Sequence, residues 1–576
     1  MLSSHRPMLL LASFLISTSF GGAAELEKPR LLVLVVFDQM RGDYPERWQA
    51  LYGNGGFNLL RKEGAFFPNC HYPYATTTTG PGHASILTGC SADSHGIINN
   101  EWYDTKTAKV INCAESARYR RVPESTRKMP EPEELKKEGL PKLPSRPKLA
   151  GSPDYLMAPT LGDALKEATG GKARVVGLSF KDRSALLPVG KSADAVYWLD
   201  SADGTIVTSS FYRDSVHPWV AEFNEKRSAD EWFGKPWSKL RTDLDYEKYS
   251  GRDDAPGEGT GIKQGVIFPH PIDGGLKKPG KNYYEAVYNS PFGNDMLIDL
   301  VRRAVVAEKL GKDDVTDLLV VSFSSNDAIG HTWGPDSQEV LDVTLRSDKL
   351  LADFLAFLDR EVGKGKYLLA LTADHGICPL PEATATSGTF AVRIPAKKLL
   401  AGAQEHLRTT FDKGAEKSLW IENASPPWIY LNQNLIAARG LRSAEVEKVL
   451  ADYLAKQEGI YRTYTRADLA GEFPETDPIG RRMKHSYYAE RSGDVGIVIA
   501  PYCLLTENFK WGTTHGSPHA YDTHVPLLIY GSGIQPGIHR EPVTPQAVAS
   551  IFAAAAGIKP PKRAAYPVPE GLFGKK

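Results

Sequence analysis

The chain of 576 residues lacks a net charge: 69 Lys and Arg stand against 69 Asp and Glu. No basic block stands out, so neither a nucleic-acid partner nor an anionic membrane is expected. A small anion remains compatible, because only the local field at its site counts. Cysteine is scarce: Cys70, Cys90, Cys113, Cys378 and Cys503 are the five. None has the Cys-x-x-Cys spacing of a structural zinc site. An odd number leaves one thiol unpaired within a chain, and the expectation is buried small side chains with at most one disulfide. Long apolar runs are also missing. The run Met8–Phe20 is too short for a bilayer, which needs roughly 20 residues. His5 and Arg6 precede it and Gly21-Gly22-Ala23-Ala24 follow. That pattern predicts a signal peptide over 1–24 and export to the periplasm or the outside. No Cys follows to carry a lipid, so no membrane anchor is expected. There is no internal repeat and no long low-complexity tract.

What is present is a series of short apolar runs, each ending in polar residues: Leu31–Phe37, Val175–Phe180, Leu318–Phe323, Tyr367–Thr372, Val495–Ala500 and Val525–Tyr530. Strands without polar alternation belong in a sheet covered on both faces. Helical patterns intervene at Ala158–Ala168, Gln338–Val362, Ser443–Gln457 and Pro545–Ala556. The alternation predicts an α/β three-layer sandwich with a mostly parallel central sheet. It would occupy 25–576 as one domain. Stretches 104–153, 200–290 and 380–510 break the rhythm and read as insertions that build a cap.

In open α/β sheets ligands bind beyond the carboxyl ends of the strands. There stand Asp38, then Asp327 with His331, then Asp374-His375; His515 precedes the run at 525. An Asp and a His four apart suit one metal. Adjacent side chains on an extended segment diverge, so Asp374 and His375 suit two metals side by side. Mixed carboxylate and imidazole donors favour zinc over manganese or iron. Each element alone is more often structural; the joint pattern is what points to a metal centre.

Thr79 stands before Gly80-Pro81-Gly82-His83 and an apolar helical run. A helix N-terminus offers free N–H groups and a positive dipole end to an anion, and metal coordination turns a hydroxyl into a nucleophile. Asn100 offers an amide. Lys181 and Arg183, directly after a strand, face one side if the segment is extended. Arg suits forked contact with phosphoryl oxygens, and Lys acts as a point charge.

These residues resemble the alkaline phosphatase superfamily, in its Thr-nucleophile, Lys/Arg-containing phosphomonoesterase branch, similar to the bacterial phosphate-irrepressible enzymes. The motifs run in family order: Val35-Val36-Phe37-Asp38, Thr79-Gly80-Pro81-Gly82-His83-Ala84, His95-Gly96 with Asn100, Lys181-Asp182-Arg183, Asp327 with His331, Ala373-Asp374-His375-Gly376 and His515-Gly516-Ser517. The resemblance implies two zinc ions per chain. One would be held by Asp327, His331 and His515, the other by Asp38, Asp374 and His375 with Thr79. Asn100, Lys181 and Arg183 would hold phosphoryl oxygens. It implies hydrolysis of small phosphate monoesters (sugar, nucleotide and aryl phosphates) through a phosphothreonine.

Two other readings compete. A phosphodiesterase or nucleotide pyrophosphatase of the same superfamily would share the six ligands and the Thr, but typically lacks the Lys/Arg pair, since a diester carries one anionic oxygen fewer. A secreted metal-binding protein without turnover would have no use for the nucleophile. A sulfatase is excluded by the missing Cys/Ser-x-Pro-x-Arg pattern. A cofactor-independent mutase would carry a Ser nucleophile and no export signal. His519 and His524 lie near His515, but the family motif fits His515.

Overall fold

The computed structural model describes residues 28–125, 150–414 and 417–574. The expected signal peptide and residues 126–149 of the first expected insertion lie outside them. A ten-stranded sheet organises the chain. Its strands are β1 (Leu31–Phe37), β2 (Ala65–Phe66), β3 (Arg121–Val122), β4 (Val175–Ser179), β5 (Ala195–Asp200), β6 (Thr205–Ser209), β7 (Asp317–Phe323) and β8 (Tyr367–Thr372). A second, four-stranded sheet holds β9 (Ile421–Ser425), β10 (Trp428–Leu431), β11 (Ile460–Thr465) and β12 (Val495–Ile499). The large sheet closes with β13 (Leu527–Gly531) and β14 (Gly537–Ile538), and its order is β14-β2-β13-β8-β1-β7-β4-β5-β6-β3.

The middle strands, β8-β1-β7-β4-β5, are mutually parallel. β1 takes the centre because it has no polar face to show water: all of Leu-Leu-Val-Leu-Val-Val-Phe is buried. Register levels the carboxyl ends, with Phe37 opposite Phe323 and Val36 opposite Thr372. Asp38, Ser324 and Ala373 therefore leave the sheet at one edge.

β13 runs antiparallel to β8, pairing Thr372 with Leu527 and Leu368 with Gly531. This reversal matters for the site. Residues that precede β13 sit at the edge where parallel strands end, and that is how His515 comes to lie beside Asp327. The run at 495–500, expected with the other apolar strands, forms β12 of the second sheet instead.

Helices flank the large sheet in two groups. α1 (Thr79–Thr88) and α2 (Leu161–Ala168) pack together with Ala547–Ala556. α3 (Ser325–Trp333) and α4 (Gln338–Leu358) pack with Pro291–Ala307. Caps set the starts. Thr160 and Asp163 form a reciprocal capping box on α2, and the Ser337 side chain accepts from Val340 N at the start of α4. All five cysteines are buried and free, so the one disulfide allowed for above is not formed. Among the described residues no helix is long and apolar enough to cross a membrane.

Candidate active site

Three carboxylates leave the sheet edge together. Asp38 follows β1, Asp374 follows β8, and Asp327 lies in the first turn of α3 after β7. His331 is one helical turn beyond Asp327, on the same face, with Nε2 3.2 Å from Asp327 Oδ1. His515 Nε2 lies 3.6 Å from that same oxygen. His375 Nε2 lies 3.6 Å from Asp38 Oδ1 and 3.3 Å from Asp374 Oδ2. Asp374 and His375 thus converge rather than diverge. The chain has left the strand by then, and the alternation of an extended segment no longer applies.

Each of the three histidines is held the same way. Nδ1 of His331, His375 and His515 faces the backbone carbonyl of Thr513, Gly376 and Thr77, at 2.7, 2.9 and 2.8 Å. A carbonyl only accepts, so Nδ1 carries the proton and Nε2 turns a lone pair toward the carboxylates. This is the support expected of metal-ligating imidazoles. Burial, then the neighbouring His375 and His331, pushes the His515 pKa well down; burial lowers that of His375. Both shifts favour the neutral ring a ligand needs; at His331 burial pulls the same way, but Asp327 outweighs it and raises the pKa.

The donor set fits a metal on a second ground. Asp38 Oδ1, Asp374 Oδ2 and His375 Nε2 are buried without any hydrogen-bond partner. Three orphaned acceptors pointing together are costly unless a cation sits among them. Donor atoms of Asp327, His331 and His515 lie within 4.8 Å of one another, as do those of Asp38, Asp327 and His375, and those of Asp38, His83 and Asp374. In the last group His83 has no lone pair to spare. Its Nδ1 donates to Thr79 O at 3.0 Å and its Nε2 accepts from Ser322 Oγ at 2.8 Å, while Nδ1 stands 3.2 Å from Asp374 Oδ2 with its proton already spent.

Thr79 is the first residue of α1 and buried; behind it Gly80 N is taken by Asn100, Pro81 has no N–H, and Gly82 N donates to Thr78 O. Gly82 lets that helix approach Asp374: a Cβ there would stand 2.4 Å from Asp374 O. Asn100 accepts from Gly80 N at 2.7 Å through Oδ1, which leaves its NH2 for a ligand. Lys181 Nζ lies 2.8 Å from Asp38 Oδ2, 2.6 Å from Asp327 Oδ2 and 3.4 Å from Thr79 Oγ1. It is the ammonium of the cluster. Burial opposes its charge, but Asp327 and Asp38 overcome this and raise its pKa. With Lys181 beside it, and despite burial, Asp327 stays ionised far below the usual range, whereas burial and Asp374 push Asp38 up.

Lys181 and Arg183 are not on an extended segment. Lys181 caps a short helix, Asp182–Leu186, and Arg183 lies in its first turn. Both nevertheless line one cavity of about 320 Å³, with Phe180, Tyr288 and Trp198. Arg183 Nε is buried with no partner. A second cavity, about 120 Å³, lies beside Thr78 and His515 against Pro426 and Pro427. His519 and His524 are spent elsewhere, on the carbonyls of Ile499 and Pro68, both at 2.8 Å.

Gln39 was invisible in the sequence. It follows Asp38 in a left-handed conformation, φ 72°, that a non-glycine residue rarely adopts. There its N donates to Asp374 Oδ1 at 3.1 Å and its Nε2 to Asp327 Oδ1 at 2.7 Å. One strained residue thus braces two of the carboxylates.

A sheet with two clustered acid–imidazole triads and a hydroxyl at a helix start defines a class of metal-dependent ester hydrolases. Residues 32–522 match the family model described as type I phosphodiesterase / nucleotide pyrophosphatase. The chain is 34% identical over 88% of its length, and 86% of the other, to "Alkaline phosphatase PhoV" of Synechococcus elongatus. It is 31% identical to "Alkaline phosphatase PafA" of Elizabethkingia meningoseptica, over 89% of each chain. The crystal structure of wild-type alkaline phosphatase PafA superposes with a TM-score of 0.84 at 30% identity, covering 96% of this chain and 100% of that one. The chain belongs to the type I phosphodiesterase / nucleotide pyrophosphatase family, in the alkaline phosphatase superfamily and its PafA/PhoV-like branch.

Proposed function

We propose that this chain is an alkaline phosphatase that hydrolyses phosphate monoesters through a phosphothreonine at Thr79. The observation that carries the reading is the trio of orphaned acceptors, Asp38 Oδ1, Asp374 Oδ2 and His375 Nε2, next to the Thr79 end of α1. Asp327, His331 and His515 would hold one zinc and Asp38, Asp374 and His375 the other, with Thr79 beside the second. When bound, the two ions make a hydroxyl and a water nucleophilic near neutral pH and steady the entering and leaving oxygens.

The chain's own groups do the rest. The Asn100 amide, Lys181 and Arg183 hold the non-bridging phosphoryl oxygens. Thr79 Oγ attacks phosphorus, its hydroxyl proton passing to solvent, and the bond from phosphorus to the alcohol oxygen breaks in line with that attack. The departing oxygen takes its proton from solvent. Water then attacks the phosphothreonine from the side the alcohol left, and Thr79 regains its proton. Charge stabilisation carries most of this chemistry. Lys181 plays two parts. It neutralises Asp38 and Asp327 as the structure stands, and ions bound to those carboxylates would turn it toward the phosphoryl group.

The family's name offers a diester reading, and the short match to bis(5'-adenosyl)-triphosphatase of cattle points the same way over only 18% of this chain. Two cations lining one cavity, with Lys181 Nζ 3.4 Å from Thr79 Oγ1, favour the dianionic monoester. Export is part of the reading, resting on the run at 8–24. The test is chemical. Zinc-loaded enzyme is mixed with an aryl phosphate, quenched in acid and digested. A phosphate on the peptide carrying Thr79 supports the mechanism; label on any other residue contradicts it.

A further inference from the structure

His375 and His515 serve different groups of donors, yet their rings stack with centroids 3.5 Å apart and planes 16° from parallel. Aromatic rings left to themselves settle about 4.5–7 Å apart, offset or edge-on. Something outside the rings has to hold these two together. Their Nδ1 bonds run to different parts of the chain, Gly376 O and Thr77 O, and do not set one ring against the other.

Asp522 does. It sits in the short helix Ala520–Thr523, just before β13, and is 1% exposed. One of its oxygens, Oδ2, accepts three hydrogen bonds from the loop after His515: Gly516 N at 3.0 Å, Ser517 N at 2.8 Å and Ser517 Oγ at 2.6 Å. Its backbone carbonyl accepts from Gly376 N at 2.7 Å, and Tyr521 O accepts from Ile377 N at 2.9 Å. The approach is close: a Cβ on Gly376 would stand 2.1 Å from Tyr521 O. One residue thus grips the chain directly after each histidine. Ser517 O, held in the same turn, accepts from Thr77 Oγ1 at 2.9 Å, and Thr77 O is the carbonyl that takes His515 Nδ1.

A carboxyl group is costly to keep there. Asp522 Oδ1 is buried with no hydrogen-bond partner, and burial outweighs the three donors to push the group up to about 7. Packing alone would be better served by an apolar side chain. Nor is Asp522 a ligand: among the described residues, no group of donors within 4.8 Å of one another includes it.

We propose that Asp522 is a positioning residue that sets His515 against His375 and so fixes the spacing of the two metal sites. That role rests on the two-zinc reading above. The two grips are separable. The side chain holds only the His515 loop, whereas Gly376 is held through the backbone, which any substitution retains. Loss of the carboxylate should therefore loosen the zinc of Asp327, His331 and His515 and spare the other.

Stepwise chelator competition for zinc tests this, with the Tm of the metal-free protein as the control for folding. The wild type should hold two zinc ions per chain. Asp522→Ala should give up one of them with roughly 10- to 100-fold lower affinity and keep the other unchanged. Asp522→Asn, whose amide oxygen can still accept the three bonds, should recover most of that affinity. Ser517→Ala removes one bond of the three and should weaken the same ion by a smaller factor. A wild type that binds fewer than two ions would overturn the two-zinc reading and this role with it. With two ions bound in the wild type, the role alone fails if Asp522→Ala weakens both equally. It fails as well if Asp522→Ala lowers the metal-free Tm and leaves both affinities unchanged, which would make Asp522 a packing residue.

Discussion

The central sheet and the second sheet solve different problems. β1 and β7 are buried at every residue, and the three clustered carboxylates leave the edge where those strands and β8 end. β9 and β11 are mostly half-exposed. They share a separate core with Ala396–Phe411 and Ser443–Leu454, built on Leu399, Leu407, Trp420, Val446 and Leu450. This second unit contributes walls. Pro426, Pro427 and Ile497 line the cavity beside Thr78 and His515, and Pro426 O accepts from Asn99 Nδ2 at 2.7 Å. A strand buried on both faces can fix charged groups at its end within tenths of an ångström, and a half-exposed sheet can vary without moving them.

The sharpest way to break this contrast is to change chemistry in one region and packing in the other. Thr79→Ala should lower kcat/KM by roughly four orders of magnitude while zinc content and Tm stay put; activity near wild type would move the nucleophile elsewhere. Leu450→Ala, in the second core, should cost about 2–5 kcal/mol of stability in a denaturant titration, with kcat/KM per folded molecule unchanged. A large loss of kcat would mean that the second sheet positions catalytic groups after all.

A pH experiment probes the central sheet alone. Burial raises Asp317, at the start of β7, from 3.8 to about 6, against the two backbone N–H groups it accepts. A carboxyl raised on folding costs nothing below its unfolded pKa. It penalises the native state increasingly as pH rises through about 6, by about 3 kcal/mol in all. Asp317→Asn should therefore gain on wild type between about pH 4 and pH 7 and hold a constant offset above that. A gap that does not change with pH would contradict the assigned burial cost.

The smallest effect sharpens the link between strain and site. Gln39→Gly relieves the φ 72° strain and removes the side-chain brace on Asp327, while the backbone N–H can still donate to Asp374. Zinc affinity should fall by about 10- to 100-fold in a chelator competition, while the Tm of the metal-free protein rises. A fall in both would make Gln39 an ordinary packing residue.

What the sequence made legible follows the same division. β1, β7 and β8 were readable because uninterrupted apolar runs have few other homes. β12 looks the same in sequence and belongs to the second sheet, since local apolarity does not say which sheet a strand joins. Two-residue strands such as β2 and β14 carry no periodicity. The direction of β13 is set by the path of the chain before it. At the site, Asp327 and His331 were legible as neighbours on one turn. The arguments for Asp374-His375 and for Lys181 and Arg183 assumed extended backbone where the chain had already turned. Gln39 left no signal, because its role lies in a backbone angle and not in its residue type.

The central claim is that Lys181 and Arg183 make the mouth of this site select a dianion. The direct measurement is kcat/KM on an aryl phosphate monoester and on a bis-aryl diester, in zinc-loaded wild type and in Arg183→Ala. A large monoester preference in the wild type, with the variant losing monoester activity far more than diester activity, is the predicted result. A diester preference, or equal losses on both substrates, would contradict the account.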